Sequence, residues 1–228
     1  MHIKTLYKTL RQTLTKSDAL YILQKRANIA HTDLITNHDQ NLAASPIFTD
    51  LEQPTTGTPR PRISAEREFY GQTFQLSPET LDPRQDTETL IDAVLNRYKN
   101  QPPPRTILDL GTGTGCILIT LLTQFPNATG QGTDISLDAL KTATQNAKTN
   151  DVHARATFTQ SNWWDKIDES FDLIVSNPPY IPDHVIPELD ENVKNHDPIQ
   201  ALSGGKDGLQ AYKEIFSQLS SHLNQDGK

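Results

Sequence analysis

Two short motifs in this sequence contain the residues best suited to chemistry. The first is Asp109-Leu-Gly-Thr-Gly-Thr-Gly115, and the second is Ser176-Asn-Pro-Pro-Tyr180. Each follows a short apolar run, so each is predicted to leave the carboxyl end of a strand, where open parallel sheets bind ligands. We therefore expect the two motifs to face one another at the same edge of one sheet.

The glycine motif predicts a nucleoside site without phosphate. Alternate glycines allow the backbone to turn tightly and to approach a ligand closely. The spacing Gly-x-Gly-x-Gly differs from the Gly-x-Gly-x-x-Gly of dinucleotide sites, and Asp109 would repel a phosphate. A nucleoside with an ammonium group, such as S-adenosylmethionine, fits these residues. The loop residues expected to bind it are Gly111, Thr112, Gly113, Thr114 and Gly115.

Two residues after the following strands are predicted to complete this cofactor site. Asp134 ends the next strand, where a carboxylate accepts ribose hydroxyls in dinucleotide folds. Trp163 follows a third strand and is predicted to lie against adenine, with burial in the core as the alternative. Trp164 would point elsewhere, so one of the two tryptophans is expected to be structural.

The Asn-Pro-Pro-Tyr motif predicts transfer of a methyl group to a planar nitrogen. The Asn177 side-chain oxygen and the Pro178 carbonyl can accept both N–H bonds of an amide or amine and favour the transition state. Pro178 and Pro179 stiffen the turn, and Tyr180 supplies a flat wall for a planar group. Such a displacement needs no strong general base, so no histidine receives a catalytic role.

The elements that must position these motifs alternate from Arg105 onward. Strands are predicted at 106–110, 129–134, 156–160 and 171–176, and helices at 116–125, 136–149 and 207–223. This alternation predicts an α/β fold with a doubly wound, mostly parallel sheet of the Rossmann-like methyltransferase type. The residues of the last helix predicted to face inward are Leu209, Tyr212, Ile215, Phe216 and Leu219.

Three segments are predicted along the chain. Residues 1–62 form a small helical domain and linker, and residues 63–104 contain a short β-hairpin around 68–74 and a connecting helix that starts near Asp86. Residues 105–228 form the methyltransferase domain.

Composition excludes several classes of protein. The net charge of −7 argues against a domain that binds long nucleic acid through its phosphates. No apolar run is long enough to cross a membrane. The one cysteine, Cys116, is expected to be a buried packing residue in a reducing compartment, and no metal site is expected. We expect a monomeric cytoplasmic protein.

These residues resemble the HemK-type protein-(glutamine-N5) methyltransferases, which modify the Gly-Gly-Gln glutamine of peptide chain release factors. The resemblance covers about residues 66–216 and is most specific at Pro83-Arg-Gln-Asp-Thr-Glu88 and Gly204-Gly-Lys-Asp-Gly208. It implies that Gly111–Gly115, Asp134, Trp163 and Asn177 bind S-adenosylmethionine. It also implies that Asn177–Tyr180 hold the glutamine amide, and that the amino-terminal helices dock the release factor.

The chain departs from this family in three places. The family usually has Pro where Gln85 stands and Asp where Asn162 stands, and the segment 36–64 is short and atypical. Family members also continue with a further strand and an antiparallel hairpin. We therefore expect a fragment whose sheet lacks its carboxyl-terminal strands and has an open edge.

Two other functions remain open at this point. An amino-methyltransferase acting on adenine or guanine in nucleic acid would use the same acceptor pair, but it needs base flipping and a basic track. A truncated relative that binds cofactor or a partner without turnover is the second alternative.

Overall fold

The computed structural model describes residues 65–228 and, before them, only residues 7, 8 and 23. The chain divides into two units, Met1–Ala65 and Glu66–Lys228. The predicted helical docking domain lies outside the described residues apart from those three positions. The fold and the site described below belong to the second unit.

The second unit opens with a β-hairpin and a helix. Strands β1 (Glu66–Phe69) and β2 (Gln72–Gln75) pair antiparallel, with Glu66 opposite Gln75, so the predicted hairpin is confirmed. Its two phenylalanines are buried and meet edge to face, with ring centroids 6.1 Å apart. Helix α1 (Gln85–Tyr98) follows after a loop.

Four parallel strands form the central sheet. They are β3 (Thr106–Leu110), β4 (Thr129–Asp134), β5 (Ala156–Gln160) and β6 (Leu173–Ser176), in the spatial order β5-β4-β3-β6. The predicted parallel α/β sheet is confirmed. Because β4 lies on one side of β3 and β6 on the other, the strand order reverses at β3, which is where open sheets bind ligands.

The helices flank this sheet. They are α2 (Cys116–Gln124), α3 (Leu137–Thr149), α4 (Glu191–His196), α5 (Ile199–Leu202) and α6 (Gln210–Gln218), with 3-10 turns at Ile186–Glu188 and Leu219–Ser221. The predicted helices 116–125 and 136–149 are confirmed to within a residue at each end. Helix α3 begins after Ser136, whose hydroxyl accepts a hydrogen bond from the Ala139 amide at 3.2 Å, as an N-cap does.

The sheet buries apolar side chains on both faces. Along β3, Ile107 packs with α2, while Leu108 and Leu110 pack with Ile215 of α6, because successive side chains of a strand point to opposite faces. Cys116 is buried in the first of these clusters, as expected, and burial raises the pKa of its thiol to about 12. None of the helices within residues 65–228 is long and apolar enough to span a membrane.

The last predicted helix needs correction. Helix α6 begins at Gln210 rather than at residue 207 and ends at Gln218. Ala211 and Ile215, four residues apart, form its buried stripe, which leaves Leu209 50% and Phe216 65% exposed. The prediction that Leu209 and Phe216 face inward is therefore wrong, because the stripe is narrower than the apolar pattern indicated.

The sheet edge beside β6 also differs from the expected open edge. The predicted strand 171–176 is regular only over Leu173–Ser176. Phe171 forms an isolated parallel bridge with Leu223. The Ile174 amide donates to the Lys228 carbonyl, and the Lys228 amide donates to the Asp172 carbonyl, both at 2.9 Å. Residues 223–228 thus cover part of this edge.

Candidate functional site

The glycine loop joins β3 to α2 through left-handed backbone. The φ values of Gly111, Gly113 and Gly115 are 72°, 53° and 79°. Residues other than glycine rarely adopt this left-handed region. The Thr112 amide donates to the Thr133 carbonyl at 2.8 Å, which fixes the loop to the end of β4. Gly115 is the N-cap of α2, so the amino terminus of that helix begins directly behind the loop.

Asp134 ends β4 beside this loop. One carboxylate oxygen accepts from the Gly113 amide and the other from the Ser136 amide, each at 2.9 Å. Burial raises the pKa of Asp134, and the hydrogen bonds from backbone amides oppose that rise. The carboxylate is therefore held rigidly, with further acceptor capacity toward the cavity described below.

Asp109 lies beneath the loop, fully buried at the end of β3. Its carboxylate accepts from the Thr112 hydroxyl at 2.7 Å. Burial raises the pKa of Asp109 to about 7, with a further contribution from the nearby charge of Asp134. Asp109 thus stabilises the loop through its hydrogen bond with Thr112.

Asn146 of α3 connects the loop to the hairpin. Its side chain is fully buried; the amide nitrogen donates to the carbonyls of Thr114 at 2.9 Å and Gln75 at 3.0 Å. Its oxygen accepts from the Gln75 amide at 2.7 Å. Both ends of one side chain are therefore used to fasten β2 against the glycine loop.

The two tryptophans occupy different environments. Trp163 has a left-handed backbone, with φ of 48°, and its ring would be 3.8 Å from a Cβ placed on Gly111. Trp164 is buried in the core, where it stacks on His222 with ring centroids 4.6 Å apart and donates to the Ile215 carbonyl. Trp164 is the structural member of the pair, as one of the two was expected to be.

A cavity of about 500 Å³ lies over the loop. It is large enough for a nucleoside-sized ligand. The predicted site residues that line it are Gly111, Thr112, Gly113, Thr114, Asp134, Trp163, Asn177, Pro178 and Pro179. Gly115 caps α2 behind the cavity wall. These predicted residues therefore contribute open glycine backbone, one aromatic ring, a carboxylate and an amide to the wall.

The Asn-Pro-Pro-Tyr turn leaves β6 next to the glycine loop. Leu110 and Ser176 are register partners at the ends of β3 and β6, and the Ser176 hydroxyl donates to the Leu110 carbonyl at 2.7 Å. The two motifs consequently start side by side at one edge of the sheet. The Asn177 amide nitrogen donates to the Thr87 hydroxyl at 3.3 Å.

A second cavity of about 510 Å³ meets the first at this turn. Asn177 and Pro178 line both cavities, whereas Tyr180 lines the second one and is 59% exposed. Asn177 thus lies on the wall that the two cavities share. Apolar residues make up much of the second cavity, namely Leu81, Leu90, Ile181, Leu189, Val193 and Leu202.

Several residues of the site were not identified from the sequence. Arg84 lines both cavities and forms an ion pair with Asp197, whose side chain is only 3% exposed. Thr87 also lines both. Both residues lie in the segment Pro83–Glu88, which the sequence marked as specific without giving it a role. Asp197 carried no signal, because the ion pair joins positions 113 residues apart.

The run Gly204–Gly208 supports the Tyr180 backbone. A Cβ on Gly204 would be 2.8 Å from the Tyr180 Cα, and one on Gly208 would be 2.5 Å from the Tyr180 carbonyl oxygen. The Ile181 amide donates to the Leu202 carbonyl, and the Gly204 amide to the Ile181 carbonyl. Glycine is needed here because two backbone segments pass closer than a side chain allows.

The first cavity fits S-adenosylmethionine in its donor and acceptor set. Asp134 offers acceptors for ribose hydroxyls, and Gly113 has open space where a Cβ would stand. Among the described residues, Arg84 is the lysine or arginine that lines the cavity, and its ion pair with Asp197 offsets the positive charge that a phosphate would need. A nucleoside carrying hydroxyl groups and positive charge therefore matches these residues better than a nucleotide.

Comparison with known proteins agrees with the fold. Residues 79–194 match the family described as "Methyltransferase small domain", which covers about half of the chain. The solved hMettl16 catalytic domain, 18% identical, aligns over 70% of this chain and 62% of that one with a TM-score of 0.55, which shows a shared fold. The protein is thus a methyltransferase of the α/β class.

Relatives of higher sequence identity define the family within this class. A release factor glutamine methyltransferase of Agrobacterium fabrum is 41% identical over 216 residues, 92% of this chain and 75% of the relative. One of Bradyrhizobium diazoefficiens is 42% identical over 216 residues, 92% of this chain and 72% of the relative. This chain belongs to the release factor glutamine methyltransferase family.

Proposed function

We propose that this protein transfers a methyl group from S-adenosylmethionine to the side-chain amide nitrogen of the glutamine in the Gly-Gly-Gln motif of peptide chain release factors. The observation that carries the proposal is the position of Asn177, on the wall shared by the two cavities. A donor in the first cavity and an acceptor nitrogen in the second would meet at this residue. The family of the chain supplies the substrate class.

The cofactor would be held by backbone and a few fixed side chains. The Gly111–Gly115 loop lets the ligand approach the backbone, Asp134 would accept the ribose hydroxyls, and Trp163 would cover the adenine. When bound, S-adenosylmethionine supplies an electrophilic methyl carbon, whose bond to sulfur breaks with the electron pair remaining on sulfur.

The substrate amide would be oriented by two acceptors. An amide nitrogen is a weak nucleophile because its lone pair is delocalised into the carbonyl. The Asn177 oxygen and the Pro178 carbonyl would accept its two N–H bonds and favour a nitrogen that is becoming tetrahedral. As the new N–C bond forms, the nitrogen becomes acidic and releases one proton to solvent. No strong base is needed, so the positioning of the amide against the methyl group supplies most of the rate enhancement.

The second cavity would receive the polypeptide around the glutamine. Tyr180 stands at its exposed side, next to the apolar lining, and presents a flat face to a planar amide. We further propose that the substrate is recognised as a protein, that the enzyme acts as a monomer in the cytoplasm, and that the amino-terminal segment 1–62 docks the release factor.

Methylation assays test this function directly. The protein is incubated with tritiated S-adenosylmethionine and one of three acceptors: a release factor, the same factor with the Gly-Gly-Gln glutamine replaced by alanine, or unmethylated nucleic acid. We expect label on the intact factor alone. Label on nucleic acid alone would replace the proposal with base methylation, and cofactor binding without label on any acceptor would replace it with a non-catalytic role.

A further inference from the structure

The side chain of Asn177 has two ends of nearly equal shape and opposite hydrogen-bonding character. Its oxygen accepts, whereas its NH2 group donates. A substrate amide nitrogen also carries two donors, so it is held only when the Asn177 oxygen faces it. In the flipped orientation, two NH2 groups would oppose each other. The proposed chemistry therefore requires that Asn177 have one orientation.

Thr87 contacts the nitrogen end of Asn177, in the orientation that the proposed chemistry requires. Its hydroxyl lies 3.3 Å from the Asn177 amide nitrogen and accepts its hydrogen bond. Thr87 lines both cavities, as Asn177 does, so the bond lies at their common wall. A hydrogen bond on the nitrogen end leaves the oxygen end of Asn177 available to a substrate.

The segment that carries Thr87 is fixed at several points. The Thr87 amide donates to the Arg84 carbonyl at 3.0 Å in the first turn of α1. Arg84 pairs with the buried Asp197. On the other side, the Glu88 carboxylate accepts from the Tyr70 amide at 2.8 Å. Because Arg84 and Glu88 are both bonded to other elements, the backbone at Thr87 has little freedom to follow a rotation of the Asn177 side chain.

We propose that Thr87 is a positioning residue, which holds the Asn177 oxygen toward the nitrogen that receives the methyl group. Thr87 acts through Asn177 and makes no contact of its own with the reacting atoms. The inference rests on the proposed function, because it is the methyl-accepting amide that makes the orientation of Asn177 matter.

Three variants test it. Thr87→Val keeps the shape and removes the hydroxyl, Thr87→Ser keeps the hydroxyl, and Thr89→Val is the matched control on an exposed position of the same helix. We expect Thr87→Val to lower kcat about tenfold while the cofactor Kd stays within about twofold, the loss of one oriented hydrogen bond. Thr87→Ser should restore most of kcat, and Thr89→Val should match wild type. Thr87→Ala gives a second deletion of the hydroxyl if the valine variant does not fold.

A kcat of Thr87→Val and Thr87→Ala close to wild type would overturn the inference, as would an equal loss in Thr87→Ser. The side-chain NH2 signal of Asn177 in NMR spectra, assigned with Asn177→Ala, gives a second measurement without substrate. Thr87→Val should speed the hydrogen exchange of that signal, and Thr89→Val should not. If wild type fails to methylate a release factor, the proposed function fails, while unchanged exchange in Thr87→Val would reject the Thr87 contact itself.

Discussion

The two cavities that meet at Asn177 are built in different ways. The floor of the first is a glycine loop and three consecutive strand ends between residues 109 and 163, where backbone amides hold Asp134, and residues near 84 and 198 complete its wall. The second takes its lining from segments far apart in the sequence, within residues 81–90, 176–181 and 189–202. Local backbone geometry therefore shapes the glycine-loop floor of the cofactor side, whereas the side proposed for the substrate depends throughout on segments that are distant in the sequence.

The largest effect is expected at the shared wall. Asn177→Ala should lower kcat about 100- to 1,000-fold, because an oriented polar group that acts in the transition state is worth that much. The cofactor Kd should stay within about tenfold, since other lining residues remain. Single-turnover methylation and calorimetric titration measure the two quantities. Asn195→Ala, on an exposed position of α4, is the control, and a near-normal rate in Asn177→Ala would refute the division of roles.

The cofactor side should also carry a pH dependence of stability. The Asp109 carboxyl ionises near pH 4 in the unfolded chain and near pH 7 in the folded protein. Between these values the folded state keeps a proton that the unfolded state has lost, so the contribution of Asp109 to stability is largest below about pH 4 and is lost as the pH rises to about 7.

Denaturant unfolding of wild type and Asp109→Asn across this range measures the effect. We expect the free energy of unfolding of wild type, relative to the variant, to fall by a few kcal/mol and then to level off above pH 7. A difference in the free energy of unfolding that does not change with pH would contradict a buried, protonated Asp109 carboxyl.

The two glycines of the loop should differ in their tolerance of alanine. A Cβ on Gly115 would be 2.8 Å from Ile119 Cδ1 and 3.2 Å from Ala143 Cβ, whereas Gly113 has nothing within 4 Å. Both have positive φ, so each alanine is strained by about 1 kcal/mol. Gly115→Ala should be destabilised by about 2 kcal/mol more through overpacking. Equal free energies of unfolding for the two variants would show that α2 and α3 can separate.

Asp134→Ala should have the smallest effect and the opposite kinetic signature to Asn177→Ala. We expect the cofactor Kd to rise about tenfold, from the loss of hydrogen bonds to a charged acceptor, while kcat at saturating cofactor changes by less than about threefold. Asp138→Ala, at an exposed carboxylate in α3, controls for charge. A loss confined to kcat would mean that Asp134 belongs to the chemistry rather than to binding.

The cofactor side was largely predictable from sequence, and the reason is local. The apolar run before each motif and the glycine spacing fix strand, turn and helix within a few residues. These patterns predicted the parallel sheet, the hairpin and the adjacency of the two turns at its edge. The limits of α6 were less predictable, because Leu209 and Phe216 fit a helical stripe that packing then leaves exposed.

The second cavity could not be predicted in the same way. The pairing of Arg84 with Asp197, and the approach of Thr87 to Asn177, join residues 113 and 90 positions apart. No periodicity or turn signal encodes such contacts. The close passage of Gly204 and Gly208 against Tyr180 likewise depends on where two loops cross.

Asn146 has a consequence for how the protein moves. Because one buried side chain bonds to Gln75 in the hairpin and to Thr114 in the glycine loop, loosening either element leaves buried hydrogen-bonding groups of Asn146 without a partner. The hairpin, distant in sequence from the loop, is thus linked to it through one side chain, and we expect local opening of the hairpin to destabilise the glycine loop as well.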